Sequence, residues 1–285
     1  MVDVALVVGV EKQTDSIGSK VEAALSAVGD SDYESIHGMT PTAQAALLMQ
    51  RYLYEYDLPR DVFVGFPLVA HANGVANPNA MFRKAIRPEL YAKVGIVSDP
   101  LNMFDIAPFA DGSAALVLTR SELLPEGFPH PLIRIAGSSQ ATGTLALHGR
   151  PEPLVFQAAQ TSTQRACHQA QVSSGDVDLF ELHDAYSIFA ALSLEAAGFA
   201  ERGQGWKLAH EGMLGIDGFL PISTMGGLKA RGYPGGATGI YQSVEAVIQL
   251  RGQAGANQVP NARRALVQSL GGPASSAVTH IFEVC

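Results

Sequence analysis

Fourteen residues from Gly226 to Gly239, Gly-Gly-Leu-Lys-Ala-Arg-Gly-Tyr-Pro-Gly-Gly-Ala-Thr-Gly, hold six glycines and one displayed tyrosine, Tyr233. Fixing that many glycines in a helix or strand costs conformational entropy, so the stretch reads as a loop whose backbone approaches something closely. It opens onto an amphipathic helix expected over Ile240 to Leu250. The first N–H groups and the dipole of such a helix favour a negative charge or a polarised oxygen. One reading is an oxyanion or acyl-holding site; the other is a tight structural turn. Two more stretches carry side chains able to do chemistry. His183 follows a short apolar run in Glu181-Leu182-His183-Asp184-Ala185-Tyr186, and Ser269 stands just before Gly271-Gly272. The only cysteines are Cys167, inside a helical stretch, and Cys285, the last residue. Two such cysteines make neither a disulfide framework nor a zinc ligand set.

The elements that must position these groups alternate. Asp3 to Val10 is a near-continuous apolar run, the pattern of a strand buried on both faces as in a parallel sheet. Helical spacing follows from Ser16 to Val28, and Thr40-Pro41 reads as N-cap and first residue of a helix to about Tyr56. Pro59 to Asn79 reads as irregular, with short helical pieces over Pro78–Ala85 and Pro88–Lys93. His71, Asn73, Asn77 and His148 are polar loop residues there and beyond, read either as ligand contacts or as turn formers. Asp111-Gly112-Ser113 leads into a second buried strand, Ala114 to Thr119. Three prolines and a glycine in 125–131 mark a linker. Beyond it come a strand from Leu132 to Ala136, a helix from Leu154 to Val172, a strand from Leu179 to Leu182 and a helix from Tyr186 to Ala197. A polar stretch from Glu201 to Leu220 precedes the glycine loop, and strands Arg264–Gln268 and Ala277–Val284 end the chain. Phe219–Ile222 is a fifth strand if it counts as one. The class is α/β with a parallel or mixed sheet, and ligands in such folds sit at the carboxyl ends of strands.

At 285 residues, 47% hydrophobic and 16% charged, the chain has material for a sizeable core. A net charge of −8 argues against a nucleic-acid or anionic-membrane surface. Neither a membrane-length apolar run nor a basic leader is evident, so the expectation is a cytoplasmic protein.

The three motifs, in order, resemble those of the thiolase superfamily, in particular its sterol-carrier-type and archaeal-type members. Gly226–Gly239 resembles Gly-Gly-(…)-Gly-His-Pro-(…)-Gly-Ala-Thr-Gly, Glu181–Tyr186 resembles Glu-x-His-Asp-Ala/Cys-Phe, and Gln249-Leu250-Arg251-Gly252 through Gln258-Val259 resembles Gln-Leu-Arg-Gly…Gln-Val. The resemblance implies a thiolase fold of mixed sheets with covering helices, incomplete in its N-terminal half over 1–124 and complete over 131–285. It implies acyl transfer, or carbon–carbon bond formation or cleavage beside a thioester, as in acetyl-CoA acetyltransferases of lipid metabolism. Acyl-CoA or CoA would be substrate, with no permanently bound cofactor and no metal. His183 would hold a thioester oxygen or a water. Tyr233 takes the place of the Gly-His-Pro histidine, where a phenol is a poor base but a sound hydrogen-bond donor. Ser269 falls near the family's second cysteine, and Met225 before the glycine pair reads as packing. Gly226, Gly227, Gly235, Gly271 and Gly272 would form the oxyanion and acyl-CoA loops. The family's nucleophilic cysteine lies ahead of the segment matching Asp3, so the resemblance implies a partner segment or chain that supplies it, and oligomers are usual. Two alternatives stay open. One is a thiolase-fold aldolase acting on β-hydroxyacyl-CoA, with Tyr233 as acid/base and a small OB-fold partner. The other is a non-catalytic subunit.

Overall fold

The chain runs β1 (Val4–Glu11), α1 (Gly18–Leu25), α2 (Pro41–Glu55), α3 (Gly65–Gly74), α4 (Pro88–Lys93), β2 (Ile96–Ser98), β3 (Leu101–Asn102), β4 (Gly112–Thr119), β5 (Ile133–Thr142), α5 (Gln157–Ala170), β6 (Leu179–Glu181), α6 (Ser187–Ala196), α7 (Gly205–His210), α8 (Thr238–Leu250), β7 (Arg264–Gly271) and β8 (Ser276–Val284). The structure is a computed structural model and describes residues 2–285.

The C-terminal strands form one mixed sheet in the order β5-β8-β7-β6, with β6 and β7 parallel and the other pairs antiparallel. Strand alternation assigns its two faces. Leu179, Ala265, Val267 and Phe282 pack with Ala246 and Leu250 of α8 on one side. Phe180, Leu266, Leu270 and Ile281 join the larger core with α5, α6 and α2 on the other. Helix α6 is buried from Ser187 through Leu194, so it is apolar all round rather than amphipathic. Helix α8 also packs against β1 and β4. It is therefore a shared layer between the two sheets, and this fixes the loop that runs into it.

Strands β1 and β4 pair antiparallel as a two-stranded sheet, Val10 opposite Ser113 and Val4 opposite Thr119. This corrects the expectation of a first strand buried on both faces. Only the Ala5, Val7 and Gly9 face turns to α8; at Gly9 a Cβ would come within 3.0 Å of Ala237 Cα. Val4, Leu6, Val8 and Val10 point outward and are 58–71% exposed.

Other boundaries move for identifiable reasons. The stretch expected to be irregular contains a 3-10 turn, Arg60–Phe63, and then α3, which buries Phe66 and Ala70. Pro67 is tolerated there because a first-turn N–H has no intrahelical partner. No helix forms over 78–85. Asn79 N–H donates to Asn77 Oδ1, and the N–H groups of Met81 and Phe82 donate to Arg231 and Ala230 carbonyls of the glycine loop. Within 201–220 a short helix, α7, forms. Segment 219–222 is not a strand, although Phe180 N–H donates to Pro221 O and Ile222 makes one bridge to Phe180. The C-terminal sheet thus has four strands. Helix α2 is capped as its sequence implies, Ala43 N–H donating to Thr40 Oγ1 at 3.2 Å with Pro41 at its first position.

Candidate functional site

A narrow cleft of about 50 Å³ opens between α1, α2, the end of β6, the glycine loop and the Gly272-Pro273 turn. His183 and Tyr233 both line it, with ring centroids 5.5 Å apart and planes at 87°. Segment 106–110 holds the two together. Ala107 N–H donates to Ala185 O at 2.8 Å on one side. On the other, Tyr233 N–H donates to Pro108 O at 2.8 Å and Ala110 N–H to Tyr233 O at 3.0 Å. Gln13, just past β1, adds a side-chain donor to Tyr233 O at 2.9 Å.

His183 is buried, and its Nδ1 has no hydrogen-bond partner. Burial, reinforced by the Arg231 charge, pushes its pKa down to about 4, so the imidazole is neutral at pH 7. Burial, with the Glu11 carboxylate as a second cause, pushes the Tyr233 phenol above its usual value and keeps it protonated. A neutral imidazole and a protonated phenol facing one cleft make a pair of hydrogen-bond donors for a polarised oxygen, and a proton carrier.

The backbone of the glycine loop is more occupied than the sequence implies. Gly227–Arg231 forms a π-type turn entered through left-handed Gly226 (φ 104°) and Gly227 (φ 53°). A Cβ at Gly227 would overlap the Asp184 carboxylate, so glycine is required there. Asp184 Oδ1 accepts the Leu228 N–H at 2.7 Å, and Glu11 Oε2 accepts the Gly236 N–H at 2.9 Å. Of the expected anion-binding groups, the N–H at the helix entrance is therefore already filled by Glu11, which the chain supplies from β1. Gly235 (φ 42°) makes room for that carboxylate.

Behind the cleft lies a buried charge cluster. Arg231 Nε sits 3.3 Å from Glu245 Oε1, with the guanidinium over the Tyr241 ring at 4.6 Å. Glu181 accepts the Thr224 N–H at 3.0 Å and the Thr224 hydroxyl. Lys229 Nζ donates to Asp105 O at 2.6 Å. Burial pushes Glu245 up to about 8 against the pull of Arg231, raises Glu181 and Asp184, and lowers Lys229 to about 8.

The remaining sequence candidates separate. Gly272 lines the cleft beside Pro273, with Gly271 preceding it at the end of β7. Ser269 does not line the cleft: it lies on the α8 side of β7, where a Cβ at Gly239 would meet its Cβ at 3.4 Å. Asn73 and Asn77 brace the loop from α3 and just beyond it, donating to Ile222 and Ser223 carbonyls and to Met225 O. His71 is buried against Phe82 and Phe104. His148 lies on the surface near Glu34. Cys167 is half-buried in α5, where burial raises its thiol pKa, and Cys285 is exposed at the chain end; neither lines the cleft. Among the described residues no cluster of metal-ligating side chains occurs, and no helix is long and apolar enough to cross a membrane. Sequence reasoning missed Glu11 and Gln13, which hold the loop from the end of β1; Gln44 and Tyr186 also line the cleft, and for Tyr186 a signal existed, since the related motif ends in Phe.

Fold and cleft together define an α/β protein that presents histidine and tyrosine donors at strand and helix ends. The chain belongs to the thiolase family: residues 139–284 match the family described as thiolase C-terminal domain-like. It is 37% identical over 280 residues to the acetyl-CoA acetyltransferase of Methanothermobacter thermautotrophicus, covering 98% of this chain and 72% of that one. It is 34% identical to the acetyl-CoA acetyltransferase of Methanocaldococcus jannaschii, covering 87% of this chain and 64% of that one. Among solved structures, the Ltp2-ChsH2(DUF35) aldolase superposes with a TM-score of 0.85 at 25% identity, over 99% of this chain and 72% of that one. A monomeric SCP2-thiolase-like protein of Mycobacterium smegmatis shares the fold, with a TM-score of 0.72 at 19% identity over 99% of this chain and 56% of that one.

Proposed function

We propose that this chain acts on acyl-CoA, making or breaking a carbon–carbon bond next to the thioester carbonyl. The observation that carries the reading is the edge-to-face placement of His183 against Tyr233 in one cleft. Such a reaction needs fixed donors where negative charge develops on the thioester oxygen, and a group that moves a proton at the second carbon or its oxygen. Neutral His183 serves the first need. Tyr233 serves the second: in the condensing direction the phenol gives its proton to the carbonyl oxygen that becomes a hydroxyl, and in the cleaving direction it acts as the phenolate, taking the hydroxyl proton as the electron pair of the breaking carbon–carbon bond passes to the enolate oxygen held by His183, whose carbon is then protonated from solvent.

Two routes fit this chemistry. Acyl transfer of the acetyltransferase kind needs a thiol at the cleft. Cys167 and Cys285 lie elsewhere, so on this route the thiol comes from polypeptide outside residues 2–285, in a further segment or a partner chain. Aldol-type cleavage of a β-hydroxyacyl-CoA needs no thiol. It is favoured by the phenol in the cleft and by the likeness to a structure whose title names an aldolase with a DUF35 partner. Assay with a β-oxoacyl-CoA plus CoA, and separately with a β-hydroxyacyl-CoA, distinguishes the routes. Tyr233→Phe is expected to lower the aldol rate about a hundredfold or more. Full aldol activity in that variant removes Tyr233 as the proton carrier of the second route, absence of aldol activity in the wild type removes that route, an acyl adduct on Cys167 by mass spectrometry removes the assignment of that thiol as inert, and failure to bind any acyl-CoA removes the reading as a whole.

A further inference from the structure

The cleft is too small for the group it would have to take. Pockets that enclose a ligand of moderate size measure about 300–1,000 Å³, against about 50 Å³ here. One wall must therefore move, and the hydrogen bonds identify it. Gln44 belongs to α2, whose start is capped, and its Nε2 donates to buried Glu34 at 3.1 Å. Phe109 lies between Pro108 and Ala110, which both bond the Tyr233 backbone. His183, Ala185, Tyr186 and Phe189 are buried with the core. Pro273 O accepts from Arg150 Nη1 at 2.7 Å. The remaining wall is Leu25 of α1 and Val28 of the 3-10 turn Ser26–Val28 that extends it.

Segment 15–28 is fixed at its flanks and loose between them. Before it, Asp111 accepts the N–H groups of Gln13 and Thr14. After it, Gly29 is buried, and a Cβ there would come within 3.0 Å of Gln44 Nε2. Asp30 N–H donates to Glu34 Oε2 at 2.9 Å, and Glu34 also accepts the Leu147 N–H at 2.7 Å. Among the described residues, a single hydrogen bond joins 17–28 to anything beyond its own flanks, from Ser35 Oγ to Ser26 O at 2.7 Å. No residue of α1 or of the 3-10 turn is buried, and no side chain caps α1. Glu22, on the same helix face as Leu25, turns Oε2 inward without a hydrogen-bond partner. A carboxylate oxygen so placed costs free energy in the shut position, and water relieves it when the helix lifts.

We propose that segment 15–28 is a lid: in the ligand-free chain Leu25 and Val28 plug the cleft, and α1 lifts on its flanks at 13–14 and 29–30 to admit the thioester to His183 and Tyr233. The proposal rests on the acyl-CoA reading given above. Two opposed terms set the balance of the lid. Burial of Leu25 and Val28 favours the shut position, and the unpaired Glu22 oxygen opposes it.

Hydrogen exchange of the ligand-free chain tests the mobility without any substrate. Amides of 18–28 are expected to exchange at least about a hundredfold faster than those in the middle of α2, and equal protection overturns the proposal. Association rates of hexanoyl-CoA, followed by stopped-flow fluorescence, test the plug. Leu25→Ala/Val28→Ala is expected to raise the association rate about tenfold, and Glu22→Leu to lower it about threefold. Variants that change only the dissociation rate overturn the proposal, because these side chains are then a fixed wall touching the ligand. Should the double variant not fold, Glu22→Leu, at a half-buried position, carries the comparison. A chain that binds hexanoyl-CoA with 18–28 as protected as α2 overturns the lid alone. One that exchanges fast at 18–28 and binds no acyl-CoA overturns the acyl-CoA reading, and with it the substrate that the lid would admit.

Discussion

At the scale of single residues, the site depends on keeping a charge off His183 and keeping two charges in balance behind it. A histidine with a folded pKa of about 4 and an unfolded value near 6.5 binds more protons unfolded than folded throughout that interval. Its contribution to stability is therefore complete above about pH 6.5 and is lost as the pH falls toward about 4, a change of about 3 kcal/mol. Urea midpoints measured at pH 7 and pH 4.5 should fall less steeply in His183→Gln than in the wild type, and equal slopes would show that another group sets the acid limb. Arg231 and Glu245 are a different matter, because both are buried and close. Arg231→Met leaves Glu245 to be protonated or to sit unpaired, and should destabilise the chain by about 3–5 kcal/mol. The double variant Arg231→Met/Glu245→Met should regain much of that, since neither member of this pair is then left charged without its partner. A double variant no more stable than the single one would mean that the loop needs the guanidinium itself.

At the scale of elements, the glycine loop is held from β1 as much as from its own helix. Glu11 and Gln13, two residues apart at the end of that strand, reach Gly236 N–H and Tyr233 O. Asp111 secures this end by accepting the N–H groups of Gln13 and Thr14 at 2.8 and 2.9 Å. Because burial first and the Glu11 charge second raise the Tyr233 pKa, Glu11→Gln should move phenolate formation at Tyr233 to lower pH. Ultraviolet titration reads this directly as the difference between each protein and its Tyr233→Phe counterpart, independently of turnover. An unmoved titration would mean that Glu11 acts only as a mechanical cap. None of this was legible in the sequence. An apolar run ending in Glu-Lys reads as a strand followed by solvent, and the reach of one carboxylate across 225 positions is a property of the packed sheets. What was legible were features with local causes: the Thr40-Pro41 helix start, the strand delivering His183, the glycine loop and the two closing strands. The helix α3 was hidden because Gly65, Pro67 and Gly74 break its local signal while Phe66 and Ala70 bury it by tertiary packing. The short helix expected over 78–85 failed for the converse reason, its N–H groups being taken by the loop across from it. Ser269 was read by its distance from Gly271-Gly272, but the alternation of β7 turns it to the α8 side.

At the scale of the whole molecule, the two sheets that enclose α8 are not equally covered. The four-stranded sheet has helices on both faces, whereas the β1–β4 pair has α8 on one face and, among the described residues, nothing on the other. That face carries Val4, Leu6, Val8 and Val10 from β1, with Ala115 and Val117 opposite Val8 and Leu6. A row of apolar side chains along a two-stranded sheet is what marks a surface made to be covered, since singly scattered ones need no explanation but contiguous ones do. Among the described residues both strands also keep an unpaired edge, which invites a further strand. Side chains already in water contribute little to the chain's own stability, while each would contribute about 1.5–3 kcal/mol once buried under another polypeptide. Replacing Leu6 and Val8 by threonine, a residue suited to strands, should thus change the unfolding free energy of the isolated chain by no more than about 1 kcal/mol. The same double variant should weaken apolar-dye binding and any association this chain makes through the face, read as sedimentation of the wild type and the variant across a concentration series. A strongly destabilised monomer would show that the face is already part of a core; a variant that associates as the wild type does would place the contact elsewhere on the molecule.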